Sequence, residues 1–197
     1  SLSPDIVALV ERFMPRLQEY LSAGSRPWTV SHGDFRLDNL LFGDRRVAVV
    51  DWQTVAHGPG ISDLAYFIGS ASEPELRRAH ERELVDHYTA GMAAHGVPLD
   101  NEWVWNQYRR YSFGGLIMAV VASMLVGRTD RGDQMFIAMA ERHGRQVLDL
   151  DAGVGQRPGD VGETGHAVGG GGDRRTRRRI DHGVGAELAG GLCRIAP

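Results

Sequence analysis

The run His32-Gly33-Asp34-Phe35-Arg36-Leu37-Asp38-Asn39, followed by Asp51 after the apolar stretch Val47-Ala48-Val49-Val50, spaces three oxygen-bearing side chains in a way that suits phosphoryl transfer. That reaction asks for little covalent chemistry. A hydroxyl must be aligned with a γ-phosphate and its proton accepted, while metal is held against the developing charge. An Asp on a tight loop, an Asn five positions later and an Asp at the end of the following strand fill those roles, here as Asp34, Asn39 and Asp51. The β-prone segment Trp28-Thr29-Val30 delivers Asp34 to a turn at Gly33. Leu40-Leu41-Phe42, a Gly43-Asp44 turn and Val47 to Val50 then read as two short strands of a hairpin, with Asp51 facing the same loop.

Together with Ser31, Gln53 and the run Asp63-Leu64-Ala65-Tyr66-Phe67, these motifs resemble the aminoglycoside phosphotransferase and choline kinase-like family. The wording from His32 to Leu41 is most similar to the branch found as stand-alone bacterial phosphotransferases and as domains fused to acyl-CoA dehydrogenases. The resemblance covers roughly Leu2 to Leu150. It implies an α+β fold, the C-terminal lobe of a protein-kinase-like architecture, mostly helical with a short β-hairpin. It also implies Asp34 as catalytic base, Asn39 and Asp51 as ligands of magnesium (Mg2+), ATP as phosphoryl donor, a small-molecule hydroxyl acceptor, and Asp63 bracing the catalytic loop.

Each residue has a plainer reading beside that one. Gly and Asp favour turns on their own account. Asp63 would serve equally as a first-turn helix acid, with Ser62 competing for the cap. His32 reads as structural, pinning the loop by hydrogen bonds, because the base in this scheme is a carboxylate. Arg36 and Asp38 read either as a phosphate or substrate contact or as a solvated loop pair.

None of the 22 basic residues is a lysine. The family places a strand lysine, paired to a helix glutamate, on the ATP phosphates under a glycine-rich loop. Arginine differs from it in reach and geometry. Only about thirty residues precede the catalytic loop, so the expected architecture is the large lobe with the small nucleotide-binding lobe absent, and little or no turnover by this polypeptide alone.

A net charge of -3 gives no broad basic field, which argues against nucleic acid as partner. One cysteine excludes an internal disulfide framework and, with no apolar run of membrane-spanning length and no leader, points to the cytoplasm. Two regions follow from composition: a globular segment 1–150 and a tail 151–197. The tail holds 13 of the 26 glycines, no Phe, Trp or Tyr, and the cluster Arg174 to Arg179. It is expected to be disordered, as an anionic-surface arm or as out-of-frame translation of GC-rich DNA.

Helical periodicity predicts a first helix over 6–21, kinked or split at Pro15, and further helices over 63–71, 74–94, 101–126 and 134–150. The aromatic stretch Trp103, Trp105, Tyr108, Tyr111 and Phe113 is expected in the core or lining an acceptor pocket, and Asp100 and Glu102 as first-turn helix acids. A lobe without its partner leaves cleft-facing apolar surface open, which predicts self-association. Two functions remain at this point. One is the catalytic and acceptor-binding lobe of an ATP:alcohol phosphotransferase; the other is a non-catalytic remnant or a metal- or metabolite-binding module. Metal-dependent phosphatases also cluster aspartates, but do not require the Asp34-to-Asn39 spacing with a strand-borne Asp after it.

Overall fold

The computed structural model describes residues 1–22, 24, 26–127 and 129–152. The tail from residue 153 onward, with its arginine cluster and Cys193, lies outside the described residues. The chain is predominantly helical, with two small antiparallel sheets.

The first helical stretch opens as α1 (Pro4–Phe13), with Pro4 in the first turn where its missing N–H costs nothing. Pro15 converts the next turn to a 3-10 segment (Met14–Arg16), and α2 (Leu17–Ser22) resumes. β1 (Thr29–Ser31) follows, then a 3-10 turn (Leu37–Asn39), β2 (Leu40–Phe42), β3 (Val47–Val49), a second 3-10 turn (Trp52–Thr54) and β4 (Ala56–Gly58). β2 pairs with β3 as the predicted hairpin, Leu40 opposite Val49. β1 pairs with β4, Thr29 opposite Gly58, a contact between segments nearly thirty residues apart.

Five helices complete the fold: α3 (Ile61–Ala71), α4 (Pro74–Ala94), α5 (Asn101–Tyr111), α6 (Phe113–Leu125) and α7 (Asp130–Asp149). The single helix expected over 101–126 is two. At the junction, the Ser112 hydroxyl donates to the Arg109 carbonyl (2.7 Å), competing with the backbone ladder just before Gly114-Gly115. α7 starts earlier than its periodicity suggests, because Thr129 caps it by accepting the Gly132 N–H (3.0 Å). Asp100 caps α5 through the Trp103 N–H (2.7 Å).

α3 lies centrally, packed on α5, α6 and α7. The buried apolar stripe of α1 (Ile6, Leu9, Val10, Phe13) closes the core against α6 and α7, and Phe13 stacks on Phe113 at 4.3 Å. A buried polar chain fixes α3 in rotation. Arg77 donates to Glu81 (2.7 Å), the Tyr108 hydroxyl donates to the same Glu81 oxygen (2.9 Å), and the Gln146 amide donates to the Tyr108 hydroxyl (2.9 Å) and to the Ala65 carbonyl (3.2 Å). Tyr108 and Phe113 are therefore core residues, whereas Trp103, Trp105 and Tyr111 pack at its margin.

Around the two sheets the apolar surface stays open: Val30, Leu41, Phe42, Val47 and Val55 are each at least half exposed. Among the described residues no helix is long and apolar enough to cross a membrane.

Candidate active site

The loop between β1 and β2 is folded by Gly33, whose φ of +82° suits glycine. Its neighbour leaves it no room either: a Cβ there would stand 2.7 Å from the Thr54 carbonyl oxygen. Thr54 also donates its hydroxyl to the His32 carbonyl (2.8 Å), so the turn after β3 clamps the loop from one side.

From the other side comes α3. The Asp63 carboxylate accepts the backbone N–H of His32 (2.6 Å) and of Gly33 (2.9 Å), one on each oxygen. These donors have no strand partner, and a carboxylate acceptor makes their bonds stronger than neutral ones. Asp63 lies in the first turn of α3, where its charge also suits the helix dipole.

His32 is buried and holds the loop to the hairpin. Its Nε2 meets the Val50 carbonyl (2.9 Å), and its Nδ1 receives the Asp34 N–H at 3.3 Å. Both contacts are satisfied by one tautomer, with the proton on Nε2. Trp52 packs on the imidazole at 4.7 Å, and Phe35 rests on Phe67 of α3 at 5.5 Å.

Within this frame Asp34 and Asn39 meet. The Asn39 amide nitrogen donates to the Asp34 carbonyl (2.8 Å) and to its Oδ2 (3.0 Å), while the Tyr66 hydroxyl donates to Oδ1 (2.9 Å). Arg36 Nε stands 3.3 Å from Asp34 Oδ2, and its terminal nitrogen 3.2 Å from Asp38. Asp51 follows Val50, whose N–H binds the Asn39 carbonyl (3.0 Å), so its backbone sits beside that of Asn39. Asp51 is exposed and left-handed (φ 64°, ψ 55°), a conformation that Asp tolerates better than most residues.

Among the described residues no three His, Cys, Asp or Glu side chains form a metal-holding group. Asn39 and Asp51 offer oxygen donors only. Both amide protons of Asn39 are engaged, which turns the chemistry of that residue toward its oxygen. Such a set suits a hard cation completed by phosphate and water rather than a protein cage.

Residues 2–95 match the family described as "Phosphotransferase enzyme family". This segment belongs to that family. Three vertebrate proteins are also similar to this chain. Acyl-CoA dehydrogenase family member 10 of Mus musculus is 28% identical over 141 residues, 62% of this chain and 13% of that protein. Family member 11 of Homo sapiens is 30% identical and that of Pongo abelii 29%, each over 127 residues, 54% of this chain and 16% of theirs. The chain thus spans a small fraction of these relatives. No solved structure matches it.

Tyr66 and Thr54 touch the loop but do not stand out in the motif. Tyr66 could be anticipated from spacing, since it lies three residues after Asp63 and therefore on the same face of α3. Thr54 carries no sequence signal of its own.

Proposed function

We propose that this phosphotransferase-family chain is the kinase-like lobe that serves transfer of the γ-phosphoryl group of ATP to a hydroxyl of a small molecule. The observation that carries this reading is the grip on Asp34: a carboxylate held at both oxygens, on a loop whose backbone is itself bound by Asp63. A general base must stand within hydrogen-bond reach of its proton in a fixed orientation, and Asp34 has that rigidity.

In this scheme Asp34 orients the acceptor hydroxyl and takes its proton as the oxygen attacks the γ-phosphorus, whose bond to the bridging oxygen breaks so that ADP leaves. Asn39, through its amide oxygen, and Asp51, through its carboxylate, would hold magnesium. Bound there, the ion supplies charge neutralisation on the β- and γ-phosphates. Arg36 can exchange its exposed partner Asp38 for a phosphate oxygen while staying beside Asp34. A reaction that draws on ATP, in a chain with one cysteine, suits the cytoplasm.

A second reading is a module that binds metal or metabolite without turnover. Transfer of labelled γ-phosphate to a panel of small hydroxyl compounds separates the two. Transfer by the wild-type chain that is lost in Asp34→Asn and Asp51→Ala supports the first; indistinguishable traces from all three refute it and support the second.

A further inference from the structure

We infer that Tyr66 is a positioning residue for Asp34, its hydroxyl fixing the rotation of the carboxylate that receives the acceptor's proton. The inference deepens the proposed phosphotransfer and rests on it for the identity of the proton donor.

Tyr66 donates to Oδ1 at 2.9 Å while Asn39 donates to Oδ2 at 3.0 Å, so the carboxylate is gripped on both oxygens and its plane is set. The phenol is 5% exposed. Burial, followed by the Asp34 charge, pushes its pKa well above the usual tyrosine range, which keeps the proton on Tyr66 and makes it a fixed donor. α3 therefore delivers two groups from one face: Asp63 holds the loop backbone and Tyr66 holds the loop's side chain.

The back of the Tyr66 ring has its own support. The His143 imidazole from α7 stacks on it at 5.1 Å and 28°. His143 is fully buried, and Gln146 of the same helix is the polar side chain beside its ring. Its place against Tyr66 is set by shape. Glycines on both flanking helices make the space, since a Cβ at Gly69 or Gly115 would overlap the imidazole. α3, α6 and α7 thus converge on a slab that keeps Tyr66 from tilting away from Asp34.

The test uses the full chain with tyrosine labelled by carbon-13 at Cζ, the Tyr66 resonance being assigned by its loss in Tyr66→Phe. Asp34→Ala is expected to shift that resonance, a response that a merely structural tyrosine would not give. Tyr66→Phe is expected to lower kcat roughly tenfold and leave both KM values within about twofold, the signature of a lost orienting bond. An unmoved resonance in Asp34→Ala, or a Tyr66→Phe enzyme with unchanged kcat, overturns the inference. If the wild-type chain transfers no phosphoryl group while the resonance still answers to Asp34→Ala, the orienting bond stands and the phosphotransfer reading alone falls.

Discussion

Replacing Asp63 isolates the brace beneath the loop from His32 to Asn39. Its two oxygens separately accept the N–H groups of His32 and Gly33, at 2.6 and 2.9 Å. Hydrogen bonds to a charged group contribute roughly 1.5–3 kcal/mol each, and a buried N–H left without an acceptor forfeits its desolvation. His32 is buried, whereas Asp63 itself is half-buried, so the lower end applies to each bond. Asp63→Ala should therefore cost about 3 kcal/mol, a large part of a typical stability. Asp63→Asn is the sharper variant. It keeps the shape, but its amide nitrogen must face one of the two N–H donors, so it should recover less than half of that loss. Urea unfolding gives the global value, and amide hydrogen exchange gives the local one. Protection at His32 and Gly33 should fall about a hundredfold in Asp63→Ala. A loss under about 1 kcal/mol with exchange at both amides unchanged would refute the reasoning, and so would an Asn variant as stable as the wild type.

Three further outcomes are expected. Burial, aided by Arg142 and Arg77 and opposed by Gln146, pushes His143 down to about 4. The unfolded state then binds more protons between that value and the ordinary histidine value of about 6.5. Its contribution is complete above that window and lost as pH falls through it, by up to roughly 3 kcal/mol; urea midpoints from pH 7 to 4 should flatten in His143→Leu, and parallel curves would count against it. Gly115→Ala, which in an open helix would stabilise by up to about 1 kcal/mol, should here destabilise by about 2 kcal/mol or more, because the new methyl overlaps His143; adding His143→Ala should restore the favourable sign in a double-mutant cycle. Phe42, 68% exposed among open neighbours on the hairpin, should drive association; light scattering of Phe42→Ser should show a smaller species than the wild type, and identical masses would refute it.

The loop geometry was legible because it is local. Asp34 and Asn39 are five residues apart, and one 3-10 turn is enough to close their bond. The β2–β3 hairpin and the break at Pro15 are likewise written in adjacent residues. The β1–β4 pairing was not legible, since β4 is short and carries Gly58 and His57 rather than a β-branched run. The division of α5 from α6 turns on the side-chain bond of Ser112, which apolar periodicity ignores. The partners of Tyr66 lie on segments more than thirty and more than seventy residues away, so only the packed helices bring them together.

The polar chain from Arg77 through Glu81, Tyr108 and Gln146 to the Ala65 carbonyl acts as an anchor bolt. It secures α3 from within α4, α5 and α7, and draws on none of their exposed side chains. Substitutions on those outer faces can therefore accumulate while Asp63 and Tyr66 stay registered to the loop they hold.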